Sequence, residues 1–546
     1  MLKTKRFITL LVSFFVIFML AACQDSSTTT TSKEGTNKNS ETKDEKKSIS
    51  IGITVAPGSF NPIDRNDFAT LNITNLLFNP LMDLDEDFNY VPMLADSVET
   101  TDNQTFTAKL NPNVKWTDGK PVTSEDVLFT LEMITHPKVT SLFASNFAIL
   151  EGLGKTGKLE TGAFADLTGA KSTDEHTIVF KTKNPIDIMA FHEKISFNLK
   201  AMPKHILKDV DPETLHQNAF MQNPTVSYGA FKFVSYQKNQ FVELEANKDY
   251  FKGAPKLDNL YFKIMPAANL VAQFQSGEID MNYPEIGSIA IQDYEKVKSM
   301  DNLVTKEGLP LNDKFIGFNN EKIKDKRVRQ AIAYGINRQM LVDNLLKGSG
   351  QVVNVPYATV HPFYNDAVEG KYPFDPKKAK ELLAEANWDT NKPLKFVVPT
   401  GDATMEQAAN IIVANLNDVG IKAEIQKLDT ASAVQSLRSG DNDMFIWNNR
   451  FKLDPDVTQL FGTGASINFT RFSNTGVDQT LANGLKATAE NERKQYYHEF
   501  QELFAEELPQ LGLYLDKRLR AVNKRVLVGE PKDMGMLINV HEWDVK

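Results

Sequence analysis

An α/β fold in more than one domain is expected for this chain, and three observations lead there. Runs with strand-like alternation and runs with helical spacing follow one another from about residue 50 to the end. The body behind the first few dozen residues is about 500 residues long, too many for one hydrophobic core. The only long apolar run lies at the N-terminus, so the rest reads as a soluble body.

The N-terminus carries Lys3, Lys5 and Arg6, then an apolar run over residues 7–20, then Leu20-Ala21-Ala22-Cys23. Basic, apolar and small residues in that order predict a secretory signal peptide over residues 1–22. The alternative is an uncleaved anchor, although the run is short against the roughly 20 residues a bilayer span needs. Cys23 is the only cysteine, so no internal disulfide can form. Residues 24–47 are rich in Ser, Thr, Lys, Glu, Asn and Asp, with almost no large apolar side chain. Such a stretch cannot bury enough surface to offset its ordering entropy and reads as a disordered tether.

Within the body, residues 51–55 read as a strand followed by a Pro57-Gly58 turn. Leu71, Ile73, Leu76, Leu77 and Leu81 suggest a helix over 70–81. A strand over 106–110 leads to the turn Trp116-Thr117-Asp118-Gly119, and Thr123 caps a helix with Glu125 and Asp126 in its first turn. Residues 229–234 and 241–245 read as a strand pair, 259–264 as a strand and 269–276 as a helix. Val328, Ile332, Ile336 and Met340 recur every fourth residue and predict one continuous helix face. Asp375-Pro376 opens another helix, with Asp as cap and Pro in the first turn. A strand over 394–398, a helix over 408–416, a strand over 421–425 and a helix carrying Tyr496, Phe500, Leu503 and Phe504 complete the series.

The formal charge of −9 argues against nucleic acid as a partner. The eight histidines are scattered without metal-ligand spacing, so no metal or other cofactor is expected. No nucleophile elbow or phosphate-binding glycine loop occurs, and no catalytic residue is assigned. Arg327, Arg329 and Arg338 read as a solvated or surface-paired helix face, and Trp116 as a structural plug.

Several stretches resemble a known family. They are Ala95-Asp96-Ser97-Val98, Thr105 to Leu110 and Trp116 to Val127; Tyr228-Gly229-Ala230-Phe231; Gln275-Ser276-Gly277-Glu278-Ile279-Asp280; and Arg327 to Arg338. In order and spacing they resemble the extracellular solute-binding proteins, family 5, of oligopeptide, dipeptide and nickel ABC importers, most of all the oligopeptide-binding lipoproteins. Leu20 to Cys23 likewise resembles the bacterial lipobox, which implies a lipid on Cys23 and a membrane anchor. The resemblance implies a two-lobed periplasmic-binding-protein-like fold with two hinge-strand crossings, near residues 277–283 and 509–516. Lobe I would comprise residues 49–86, 206–282 and 512–546, with an extra domain over 87–205; lobe II would comprise 283–511.

The implied function is capture of an extracellular peptide between the lobes by a monomer on the outer face of a membrane. Delivery would be to permease subunits driven by a separate ATPase, and a Gram-positive surface is expected. A dipeptide, haem, a nickel chelate or an oligosaccharide stays open as ligand, and a surface-anchored hydrolase is the rival of another class. By the same resemblance the ligand would meet Ser227, Tyr228 and Gly229, the strand bearing Phe318 and Asn319, and the segment Trp447, Asn448, Asn449 and Arg450. In many members an Asp just beyond pairs with the peptide's amine. Here Phe451 or Lys452 holds that place, and the nearest carboxylate is Asp454. Either Asp454 shifts into the role, or it caps a turn and the peptide's end is not fixed.

Overall fold

Among the described residues, eleven strands in sequence-distant order build one mixed sheet that runs through both halves of the molecule. The computed structural model describes residues 46–63, 67–141, 143–449 and 451–546. The expected signal peptide, Cys23, most of the expected tether and Arg450 lie outside the described residues. Among those described, no helix is long and apolar enough to cross a membrane.

One half of the sheet is ordered Met281–Asn282, Ser48–Ile53, Asn259–Ile264, Phe241–Ala246, Phe231–Gln237. Ser48–Ile53 lies parallel to Asn259–Ile264, which pairs antiparallel with Phe241–Ala246. Ile49, Ile51 and Ile53 are fully buried, as expected for a strand covered on a core face. The helix Phe68–Leu77 packs here, capped by Asp67, whose carboxylate accepts the Thr70 N–H at 2.6 Å. It stops before Asn79-Pro80, short of the expected residue 81, because the residue before a proline disfavours helical backbone.

A four-stranded antiparallel sheet, ordered Ala95–Thr100, Thr105–Leu110, Thr177–Lys181, Ala170–Asp174, shares this core with the helix Ser124–Thr135. Trp116 is buried edge-on to Tyr228, with ring centroids 5.1 Å apart, and so plugs the junction as a structural residue. The Asp126 carboxylate accepts the Thr123 N–H at 3.0 Å, which closes the cap expected from the sequence.

The other half is ordered Ala423–Leu428, Leu394–Pro399, Met444–Asn449. Its core joins Phe396, Val398, Met444 and Ile446 to Val328, Ile332, Leu382 and Ile412 of the covering helices. A separate aromatic cluster gathers Tyr357, Phe363, Phe461, Tyr497, Phe500 and Phe504 around the helix Glu490–Glu507. The expected helix face over 328–340 is interrupted. The helix Lys326–Gly335 ends at Ile336, which has extended backbone, and the Asn337 side chain then starts a new turn by accepting the Met340 N–H at 2.9 Å.

Two long antiparallel strands, Leu303–Phe318 and Gln510–Asn523, link the halves. At one end Leu303, Leu519 and Ala521 pack with Leu270 and Phe274; at the other Ile316, Leu511 and Leu513 enter the second core. Register shifts between Glu307, Pro310 and Asn312 lie in the stretch between the cores, where a sheet can bend. Residues 277–283, where the first crossing was expected, instead hold the left-handed helix cap Gly277 and the short strand Met281–Asn282. The strand that passes from one core to the other is Leu303–Phe318.

Candidate functional site

The linking strands floor a cleft of about 380 Å³ that receives side chains from both halves. Leu311 and Asn312 come from the outgoing strand and Arg518 from the return strand. One wall is the helix Phe68–Leu77 with Phe68, Leu71 and Asn72, joined by Tyr90, Glu193 and Tyr283. The facing wall is Phe451, Lys452 and Leu453. Apolar and aromatic faces with a few placed polar groups are the usual lining of a ligand site.

Those polar groups are oriented by their neighbours. The Tyr283 hydroxyl donates to Asn72 Oδ1 at 2.7 Å, and Asn72 Nδ2 donates to Glu285 at 2.9 Å. Across the same wall the Tyr90 hydroxyl donates to Glu193 at 2.7 Å. Burial, aided by nearby carboxylates, pushes both phenols well above their ordinary range, so they stay donors at neutral pH. On the floor, Arg518 donates to Asn312 Oδ1 at 3.0 Å, and Asn312 Nδ2 donates to Asp516 at 2.8 Å. Carboxylates outnumber cations in the lining: Asp67, Asp83, Glu193, Glu285 and Asp533 against Lys194, Lys452 and Arg518.

None of the nine described residues expected to meet a ligand is among those lining this cleft. Ser227 is buried and exchanges hydrogen bonds with Thr117, its carbonyl accepting the Thr117 N–H at 2.8 Å. Tyr228 is buried beside Trp116; its hydroxyl donates to the Asn79 carbonyl at 2.6 Å and accepts the Ala201 N–H at 3.0 Å. Gly229 lies against the Phe68–Leu77 helix, where an added Cβ would fall 2.1 Å from the Leu76 carbonyl oxygen. Phe318 is a core residue, and Asn319 donates to the Asn442 carbonyl at 3.0 Å. Trp447 is partly buried against the Phe315 cluster, Asn448 is exposed, and Asn449 donates to Asp313 at 3.0 Å. Asp454 is only 5% exposed and holds the Arg493 guanidinium at 3.0 and 3.1 Å.

What lines the cleft from the expected region is the next three residues, 451–453. Tyr90, Glu193, Tyr283 and Arg518 converge from segments far apart in the chain, so no spacing in the sequence announces them. The arginines also differ from expectation. Arg327 is exposed and pairs with Asp325, but Arg329 and Arg338 are buried among backbone carbonyls, Arg338 reaching those of Val353, Gly512, Lys371 and Tyr372. A guanidinium presents five donors and can tie several chain segments at once. Burial lowers both to about 10, which leaves them charged at neutral pH.

Two further contacts cross between the halves, one of them made by the wall residue Phe451. The Phe88 and Phe451 rings lie 4.9 Å apart, and Arg493 Nη1 donates to Asp187 at 3.2 Å. Among the described residues, no group of three or more His, Cys, Asp or Glu is placed to hold a metal ion.

Two lobes joined by a pair of long strands, with a shared cleft above them, define a two-lobed binding protein. The chain belongs to the bacterial extracellular solute-binding proteins, family 5, whose middle region matches residues 89–468. It is 28% identical over 565 aligned residues, 99% of either chain, to the oligopeptide-binding protein AppA of Bacillus subtilis. It is 32% identical over 398 residues, 70% of this chain and 69% of the other, to a putative ABC transporter peptide-binding protein of Brucella ovis. The structure superposes on that of AppA from Clostridium difficile, a putative peptide-binding protein, with a TM-score of 0.80 at 26% identity, covering 91% of this chain and all of the other. For Bacillus subtilis AppA in complex with a nonapeptide, the TM-score is 0.76 at 25% identity, covering 91% and 99%.

Proposed function

We propose that this protein captures peptides outside the cell and delivers them to an ABC importer, tethered to the outer face of the membrane by a lipid on Cys23. The observation that carries the reading is the cleft lined from both lobes directly above the linking strands, since closure about such strands would bury a guest. Two relatives described as oligopeptide- or peptide-binding, one of them solved with a nonapeptide, support a peptide as that guest. Lobe limits as given above, except that the outgoing boundary falls on the linking strand Leu303–Phe318 and not at residue 283, a monomeric state, a Gram-positive surface, and partnership with permease subunits and a separate ATPase are part of the same proposal. Affinity would come from pairing to the peptide backbone and from loose side-chain contacts, which tolerate many sequences.

The Arg493 pairing favours an unanchored amino end. A carboxylate already committed to a buried guanidinium is a poor partner for a peptide's ammonium, because recruiting it would strip Arg493 of its counter-charge. Calorimetry with a series of 4- to 12-residue peptides, each with a free and an acetylated amino end, tests this. Affinities of each pair within about threefold are expected. A loss of about a hundredfold or more on acetylation would show that a carboxylate fixes the end.

A further inference from the structure

We infer that Asp187 and Arg493 form a closure latch, an ion pair between the lobes that sets ligand affinity without touching the ligand. This rests on the reading that the two lobes close on a guest. Arg493 sits on the helix Glu490–Glu507 and is 1% exposed. Its own lobe already prepares it: Asp454 takes Nη2, and Nε donates to the Gly484 carbonyl at 3.3 Å. Lobe II therefore holds the guanidinium in place with a counter-charge whether or not the lobes meet. Its Nη1 is turned to Asp187, which comes from the other side of the cleft and is 13% exposed.

Asp187 is prepared in the same way. Its Oδ1 accepts the Met189 N–H at 2.8 Å and caps the short helix Ile188–Phe191, so the carboxylate is oriented before it meets Arg493. The neighbouring Met189 packs against the aromatic cluster of lobe II. Lys194, six residues on from the capped helix's first residue, lies 3.7 Å from Asp456, two residues beyond Asp454. Each charge thus keeps a partner when the lobes separate, and closing adds one contact between groups already aligned. Shielding from water strengthens the attraction between the two charges, and the cost of desolvating Asp187 on closing offsets part of it. Neither residue lines the cleft, so its influence on a ligand must act through the fraction of closed molecules.

Asp187→Asn isolates the charge, because Asn caps a helix as well as Asp. In the ligand-free protein the radius of gyration from solution scattering should rise. Affinity should fall by one common factor, about tenfold, for every peptide that the wild type binds, mainly through faster release. A thermal melt confirms that the variant is folded. An unchanged radius together with unchanged affinities would overturn the latch, and so would losses confined to some peptides, which would mean that Asp187 touches the ligand. If the wild type binds no peptide at all, the peptide reading fails and the ligand-free scattering still decides the latch.

Discussion

Asp313 is 3% exposed on the outgoing strand, with Oδ2 accepting from Asn449 and Oδ1 lacking any hydrogen-bond partner. Burial raises it from 3.8 to about 7, with Asn449 and Lys314 offsetting only part of the rise. A carboxyl whose folded pKa lies above its unfolded one gives stability that is complete below the unfolded value and is lost as pH climbs toward the folded value. Asp313→Asn removes that dependence. Between pH 4 and pH 7.5 the wild type should lose roughly 3 kcal/mol of stability relative to the variant, read from urea unfolding at each pH. A difference that does not change with pH would show that Asp313 is ionised in the folded chain. Little at this scale was legible beforehand. An Asp or Arg in a sequence does not say whether it faces water, and Arg338, Arg493 and Asp454 are buried against partners 39 to 174 residues away in the chain.

At the scale of elements the sequence was far more legible, because caps and periodicity are local. Asp375-Pro376 starts its helix where expected, with the Asp375 carboxylate accepting the Lys378 N–H at 2.9 Å, and the strand over 259–264 has the expected limits. The failure over 328–340 is also physical. Apolar residues at every fourth position continue, but the Asn337 side chain offers a competing local hydrogen bond and the backbone takes it. The packing between elements was hidden. Gly229 was expected to meet the ligand; its packing role, letting one segment press on the carbonyl of Leu76, shows only in the fold. Gly229→Ala should destabilise by about 2–3 kcal/mol through overpacking of the helix Phe68–Leu77, measured by chemical denaturation. A change below about 0.5 kcal/mol would mean that the helix yields freely.

For the molecule as a whole, family and fold were legible in the order of the motif stretches, yet the cleft was not. Its lining comes from the helix Phe68–Leu77, from Tyr90, Glu193 and Tyr283, and from strands near residues 311 and 518. Only the folded chain brings these together; the residues expected from the motifs lie outside this lining, most of them buried within the lobes. The linking pair Leu303–Phe318 and Gln510–Asn523 gives the lobes one covalently continuous floor, and the contacts Phe88–Phe451 and Asp187–Arg493 show where the lobes touch. A guest that bridges both walls should favour the closed arrangement by the amount it prefers it over the open one. The most direct measurement is solution scattering of the protein, refolded from denaturant so that it carries no ligand, during titration with a mixed pool of short peptides. Contraction of the radius of gyration that saturates with peptide is the predicted result; a radius that stays constant through a titration in which binding is seen by calorimetry would contradict closure of the two lobes.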